Sequence, residues 1–71
     1  MENLIMEHQG QYVEVIDHNG RVCRGIIEGI GSNPHRGMFI HDGFRRTFIP
    51  FFLIASLFLL GGRGRRRRRI F

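Results

Sequence analysis

The chain has one cysteine, Cys23, and neither tryptophan nor lysine in its 71 residues. A lone cysteine rules out the disulfide framework that staples many domains of this size, and no Cys/His spacing matches a zinc site. Non-disulfide, cytoplasmic chemistry is therefore expected. The opening MENLIMEHQG has no basic segment followed by an apolar core of about seven residues, so no secretory signal is expected. Also missing are G-x-S-x-G, a P-loop and any acid pair with a plausible pocket. His8, His18, His35 and His41 include no pair four residues apart, and His18 and His41 precede turn residues, so they read as surface or turn histidines. No catalytic residue, metal or cofactor is assigned, and a non-enzymatic protein is expected.

Charge is present in quantity but unevenly placed. All eleven basic residues are arginine, against six acids. Residues 1–60 hold five of them (Arg21, Arg24, Arg36, Arg45, Arg46) and all six acids, a balance of −1. The tail carries the remaining six (Arg63, Arg65, Arg66, Arg67, Arg68, Arg69), a balance of +6. Long-range attraction to a polyanion must therefore come mostly from the last nine residues. Arginine in place of lysine favours bidentate contact with phosphate or carboxylate.

Hydrophobic patterning organises the rest. Residues 2–8 read as about two helical turns with Asn3 as N-cap, broken by Gly10. The stretch QYVEVID, 11–17, alternates as a strand, with Val13 and Val15 on one face and Tyr12, Glu14 and Ile16 on the other. Asn19-Gly20 is a hairpin turn signal, both residues serving as the turn. The return strand, 21–30, carries Gly25 and Gly29 inside it, where glycine marks a bend or a close backbone approach. Cys23 alternates with Gly25 and Ile27 on its inner face, a setting for an inert buried thiol. A loop at 31–37, a strand at 38–41, a second hairpin at Asp42-Gly43 and a strand at 44–49 follow.

The stretch 47–62 is apolar for sixteen residues, against the about 20 needed to span a bilayer as a helix. Pro50 near its start favours a strand end, then a tight or 3₁₀ turn at FFLIA and a last strand near 56–60. Both faces of that strand are apolar, so one is expected on the core and the other, with its neighbours Phe48, Ile49, Phe51, Phe52, Leu57, Phe58, Leu59 and Leu60, against a second subunit. A membrane segment at 47–62, flanked by arginines, is the alternative.

The spacing G-x-x-V-x-V-x-x-x-N-G-R-x-x-x-G-x-I-x-G, carried by Gly10, Val13, Val15, Asn19, Gly20, Arg21, Gly25, Ile27 and Gly29, resembles the first motif of the Sm-like proteins. With Ile49, Pro50, Ile54 and Leu57 the resemblance covers residues 4–60, and it extends to small Sm-like or PRC-barrel-like proteins of spore-forming bacteria. It implies a mainly β fold: a short N-terminal helix, then a bent five-stranded antiparallel SH3-type barrel over 1–60. The remaining 61–71 are expected from their composition, two leading glycines and six arginines in seven positions, to form a flexible, disordered Gly/Arg tail. The resemblance also implies a homo-oligomeric ring in which the fourth strand of one copy pairs with the fifth of the next. Sm-like RNA sites use an Asp and an Asn in the loop between the second and third strands, and a basic residue with glycine, or Lys-His, after the fourth. Here Gly31 stands at the acidic position, leaving Asn33 and His35 as substitutes with Arg36 beside them, and Pro50-Phe51 follows Ile49.

The functional expectation is a self-assembling binding module holding RNA or DNA through its arginine tail, without strong sequence preference. The alternative is a self-assembling structural protein, in a spore or surface layer, whose arginines bridge acidic partners. In the blandest reading the run serves only as a solubilising gatekeeper. Neither role accounts for Ile70 and Phe71.

Overall fold

Alternation of β-branched and polar residues gives one antiparallel sheet. The computed structural model describes residues 1–32, 34–61 and 67–71. A helix α1 (Glu2–Glu7) precedes strands β1 (Tyr12–Asp17), β2 (Val22–Ser32), β3 (Arg36–His41) and β4 (Arg46–Pro50). A 3₁₀ turn (Phe51–Leu53) then leads into β5 (Ile54–Leu60) and a last strand, β6 (Arg67–Arg69). The order across the sheet is β4-β3-β2-β1-β5-β6, all neighbours antiparallel. Five strands and the 3₁₀ turn were expected close to these positions. Among the described residues the sheet is not closed: β4 and β6 are its two edges.

The core lies on one face. Val13 and Val15 of β1, Ile27 of β2, Met38 and Ile40 of β3, Ile49 of β4, and Ile54 and Leu57 of β5 are buried together. Helix α1 adds Ile5, fully buried, with Leu4 and Met1 packed at the margin. The helix start is Met1, with no side-chain cap, so Asn3 lies inside the first turn instead of capping it. What holds so short a helix is the burial of Ile5, together with the Gly10 amide donating to the Ile27 carbonyl at 2.8 Å.

The sheet curves where β2 is irregular. Its register with β3 shifts between Ile27 and Gly29, an extra residue that sharpens the local twist. At Gly25 the chain passes so close to β3 that a Cβ would stand 2.8 Å from the His41 carbonyl oxygen. The expected close approach is thus at Gly25 and the bend at Gly29.

Both hairpins form, with turn chemistry that differs in detail from expectation. At the first, the Asp17 amide donates to the Arg21 carbonyl and the Gly20 amide to the Asp17 carbonyl, both at 3.0 Å. Asp17 Oδ1 accepts from the Asn19 and Arg21 amides at 2.9 Å each. The loop therefore has three residues, His18, Asn19 and Gly20, with Gly20 at φ +84° in the position that closes such loops. At the second, Gly43 (φ +97°) and Phe44 form a two-residue loop between Asp42 and Arg45.

The largest departure is at the C-terminus. Residues 61–71 were expected to be a flexible tail; of these, 62–66 lie outside the described residues, and the departure concerns 67–71. Instead Arg67–Arg69 pair with β5, Leu60 opposite Arg67, Leu59 opposite Arg68 and Phe58 opposite Arg69. Beyond the strand, the Ile70 amide donates to the Leu57 carbonyl at 2.8 Å, the Leu57 amide donates to the Phe71 carbonyl at 3.0 Å, and Ile70 packs on the core. A hydrophobic residue after an arginine run is thereby explained: it is the anchor of a sixth strand.

Residues 47–60 are strand, 3₁₀ turn and strand. No helix among the described residues is long and apolar enough to cross a membrane, which removes the helical form of the anchor at 47–62.

Candidate polyanion-binding face

Strand pairing assembles one row across the outer face of the sheet. Arg24 of β2 lies opposite Glu14 of β1, Glu14 opposite Phe58 of β5, and Phe58 opposite Arg69 of β6. Side chains opposite one another in antiparallel strands share a face, and this is the face away from Val13, Val15 and Leu57. Two residues along β1, on the same side, is Tyr12, 47% exposed. Two along β6 from Arg69 is Arg67.

Glu14 organises the row. Although it lies on the face away from the core, it is the one charged residue that is buried among the described residues, only 5% exposed, and a buried carboxylate must be paired and hydrogen-bonded. Arg24 Nε donates to its Oε2 at 2.8 Å, and Arg67 Nε donates to its Oε1 at 2.7 Å. The Arg67 guanidinium also lies 3.8 Å from the centre of the Phe58 ring, a cation–π contact worth about 0.5–2 kcal/mol. Burial pushes the Glu14 carboxyl upward, but the hydrogen bond from Arg24 and the charges of Arg67 and Arg24 outweigh it, and its pKa is lowered below the ordinary 4.5. Glu14 is therefore a carboxylate at neutral pH, one negative charge shared by two arginines. The remaining charge of Arg24, Arg67 and Arg69 lies on this face, whereas Arg68, opposite Leu59, belongs to the other side of the strand.

A folded-state pKa below the unfolded one stabilises the chain above the unfolded value and loses that contribution as pH falls through the folded value. The Glu14–Arg67 contact is thus intact above about pH 4.5 and weakens only below it. Glu14→Gln keeps the shape and removes the charge. Hydrogen exchange at the Ile70 amide should speed about tenfold, equivalent to about 1.4 kcal/mol, at neutral pH, and little once the pH is low enough to protonate Glu14 in the folded chain. An unchanged Ile70 rate would mean that Arg67 holds nothing.

The other expected site residues are placed as follows. Arg36 is engaged by Glu2, its Nε and Nη2 donating to the two carboxylate oxygens at 2.5 and 2.7 Å. His35 packs edge-on to Phe52 with ring centres 5.1 Å apart. Both lie at the β2–β3 turn, seven residues beyond Gly25 along β2 (32 − 25), whereas Gly25 is at the level of the arginine strand. The structure therefore does not bring them together with β6. Asn33, Arg63, Arg65 and Arg66 lie outside the described residues.

Of the residues expected at a subunit interface, Ile49 and Leu57 are buried in the chain's own core. Phe51 and Leu59 pack against that core. Phe48 stacks on Phe39 with centres 4.9 Å apart, while Phe58 and Leu60 lie opposite β6. Phe52 alone of the set is mostly exposed, at 60%. The outward side of β5, expected against a sister copy, is met in part by the chain's own arginines.

A cleft of about 540 Å³ opens between β2, β3 and β4 and is lined by Cys23, Thr47, Asp42 and Arg45 among others. Burial first, then the charge of Asp42, raises the Cys23 thiol above its ordinary pKa, so a thiolate nucleophile is disfavoured. Among the described residues no three His, Cys, Asp or Glu side chains cluster as a metal site requires.

Glu14, Arg24 and Tyr12 were not singled out from the sequence. The signal was present: an acid inside an alternating strand, ten residues before an arginine on the return strand. Comparison with known protein families, curated proteins and solved structures finds no match to this chain.

Proposed function

We propose that this protein is a non-enzymatic, self-assembling binding module of Sm-like barrel type that holds RNA or DNA, without strong sequence preference, on the face formed by its arginine strand. The observation that carries this is the joining of arginine and aromatic side chains on one surface: Arg24, Arg67 and Arg69 with Phe58 beneath and Tyr12 beside them. Arginines neutralise phosphates and aromatic rings stack bases, and both are indifferent to sequence. Anchoring β6 on the sheet supports the reading, since ordered cations lose less entropy on binding than a free tail.

If six arginines contact phosphates of a single strand, log affinity falls with log salt at a slope of about −4, about 250-fold between 50 and 200 mM. The test is fluorescence-anisotropy titration of single-stranded oligonucleotides against the full chain and against a chain with Arg63, Arg65, Arg66, Arg68 and Arg69 replaced by serine, Arg67 being kept to hold β6. The replaced chain should bind at least tenfold more weakly at 50 mM salt, with a slope shallower than −1.5. Equal binding by the two would remove nucleic acid from the tail.

A second reading is favoured by a different observation. Arg67, Arg36 and Arg46 each already hold a carboxylate of this chain, on Glu14, Glu2 and Glu28. Arginines so disposed serve equally to bridge acidic partners in a structural layer. Sheets or filaments of purified protein formed without nucleic acid, seen by electron microscopy, would favour this reading over the first.

A further inference from the structure

The two edges of the sheet differ in what they offer a second molecule. Strand β5 is seven residues long, IASLFLL, without a charge or a proline. Such an edge, left open, is a template for pairing with another chain. It is not open. Strand β6 lies along it, three residues long and made only of arginine, and short, highly charged strands are what proteins place at edges to prevent pairing. Two copies meeting β6 to β6 would oppose three cations to three cations. The outer edge has been changed from adhesive to repellent by a segment of the same chain.

The hold on that segment is limited, and the Arg67 side chain carries its polar part, through Glu14 and the Phe58 ring. Three paired residues, the backbone bonds at Leu57, the half-buried Ile70 and the single ion pair to Glu14 keep it in place. Arg67 is 47% exposed, so an outside anion reaches it. Strand β4, the other edge, is free among the described residues whatever β6 does.

We propose that β6 is a removable cap, and that when it leaves, a second copy of this chain pairs onto the β5 edge in its place. The occupant is a second copy because each uncapped chain carries two unpaired edges, and edge pairing between copies is what satisfies them. This rests on the polyanion reading in one respect: phosphates that draw Arg67 from Glu14 are the natural trigger. Binding at the arginines and assembly at β5 would then be coupled.

The experiment separates the cap from its trigger. Arg67→Glu in the full chain sets two carboxylates against each other at the latch and involves no polyanion. Light scattering should show its mass rising from that of one chain, 8.3 kDa, to at least twice that, while the unaltered chain stays at one. To separate loss of the latch from loss of the fold, the converse is also measured: Leu59→Cys with Arg68→Cys, in a Cys23→Ser background, ties β6 to β5 by a cross-strand disulfide. The oxidised chain should remain monomeric with inorganic polyphosphate present, and should assemble with it once reduced. An Arg67→Glu chain that stays monomeric, or an oxidised chain that assembles on polyphosphate as readily as the reduced one, overturns the cap. Failure of the unaltered chain to bind oligonucleotide, with Arg67→Glu still assembling, overturns the polyanion reading and leaves the cap standing.

Discussion

Leu57→Ala should lower the unfolding free energy by about 3 kcal/mol, within the range of about 2–5 kcal/mol for emptying a fully packed site. Leu57 has no exposed surface and sits at the centre of the core cluster. At about 0.05–0.15 kcal/mol per residue, 71 residues hold about 4–11 kcal/mol in all, so the variant loses a large fraction of its stability. In a domain of this length the melting temperature should fall by about 12–24 °C. The backbone of Leu57 also carries the bonds to Ile70 and Phe71, so β6 should loosen together with the core. A fall of less than 1 kcal/mol by urea titration would place Leu57 at a yielding surface and undo the account of β5 as a core strand.

Gly37→Val should be comparably severe, for a reason unrelated to cavities. A Cβ on Gly37 would meet the Ile49 carbonyl oxygen, and would stand 2.7 Å from Pro50 Cα and 2.8 Å from the Phe48 ring. Two of those three are backbone atoms, and Pro50 is the direct partner of Gly37 in the β3–β4 pairing. The strands must separate there, and overpacking commonly costs about 1–3 kcal/mol even where side chains can give way; the upper end is expected here. Gly29→Val is the control. Its Cβ would meet only the Gln9 Nε2 atom, at 3.8 Å, and the loss should stay below about 1 kcal/mol. Equal losses at the two positions, measured by thermal unfolding, would show that contact with β4 is not what demands glycine at position 37.

Much of the fold was legible because its local signals agree with one another. Alternation placed Val13 and Val15 inward, Gly20 and Gly43 marked both reversals, and Pro50 ended β4 before a 3₁₀ turn. The candidate face was not legible, and the first hairpin shows why. A two-residue Asn19-Gly20 turn pairs Glu14 with Gly25; the observed three-residue loop, closed by the Asp17 side chain, pairs it with Arg24. A slip of one residue changes every partner across the strand, and here it separates a solitary acid from an ion pair. Strand β6 was hidden differently. Three consecutive arginines have no alternation, and their strand conformation comes from partners distant in sequence, Arg67 on Glu14 and Ile70 on the core. Only Ile70 and Phe71, unexplained as part of a charged tail, hinted that the segment docks.

The distance along the chain between Glu14 and Arg67, 53 residues, also orders events in time. The short helix and the hairpins close small loops, and β6 with β5 is one of them, Leu60 lying opposite Arg67. Bringing Arg67 to Glu14 requires β5 to reach β1, Glu14 opposite Phe58, across most of the polypeptide, and large loops close late because their entropy must be overcome first. A refolding chain therefore holds a capped β5 whose other edge is still bare. During that interval, collision with another chain competes with arrival of the chain's own first strand, so the yield of refolded monomer should depend on protein concentration.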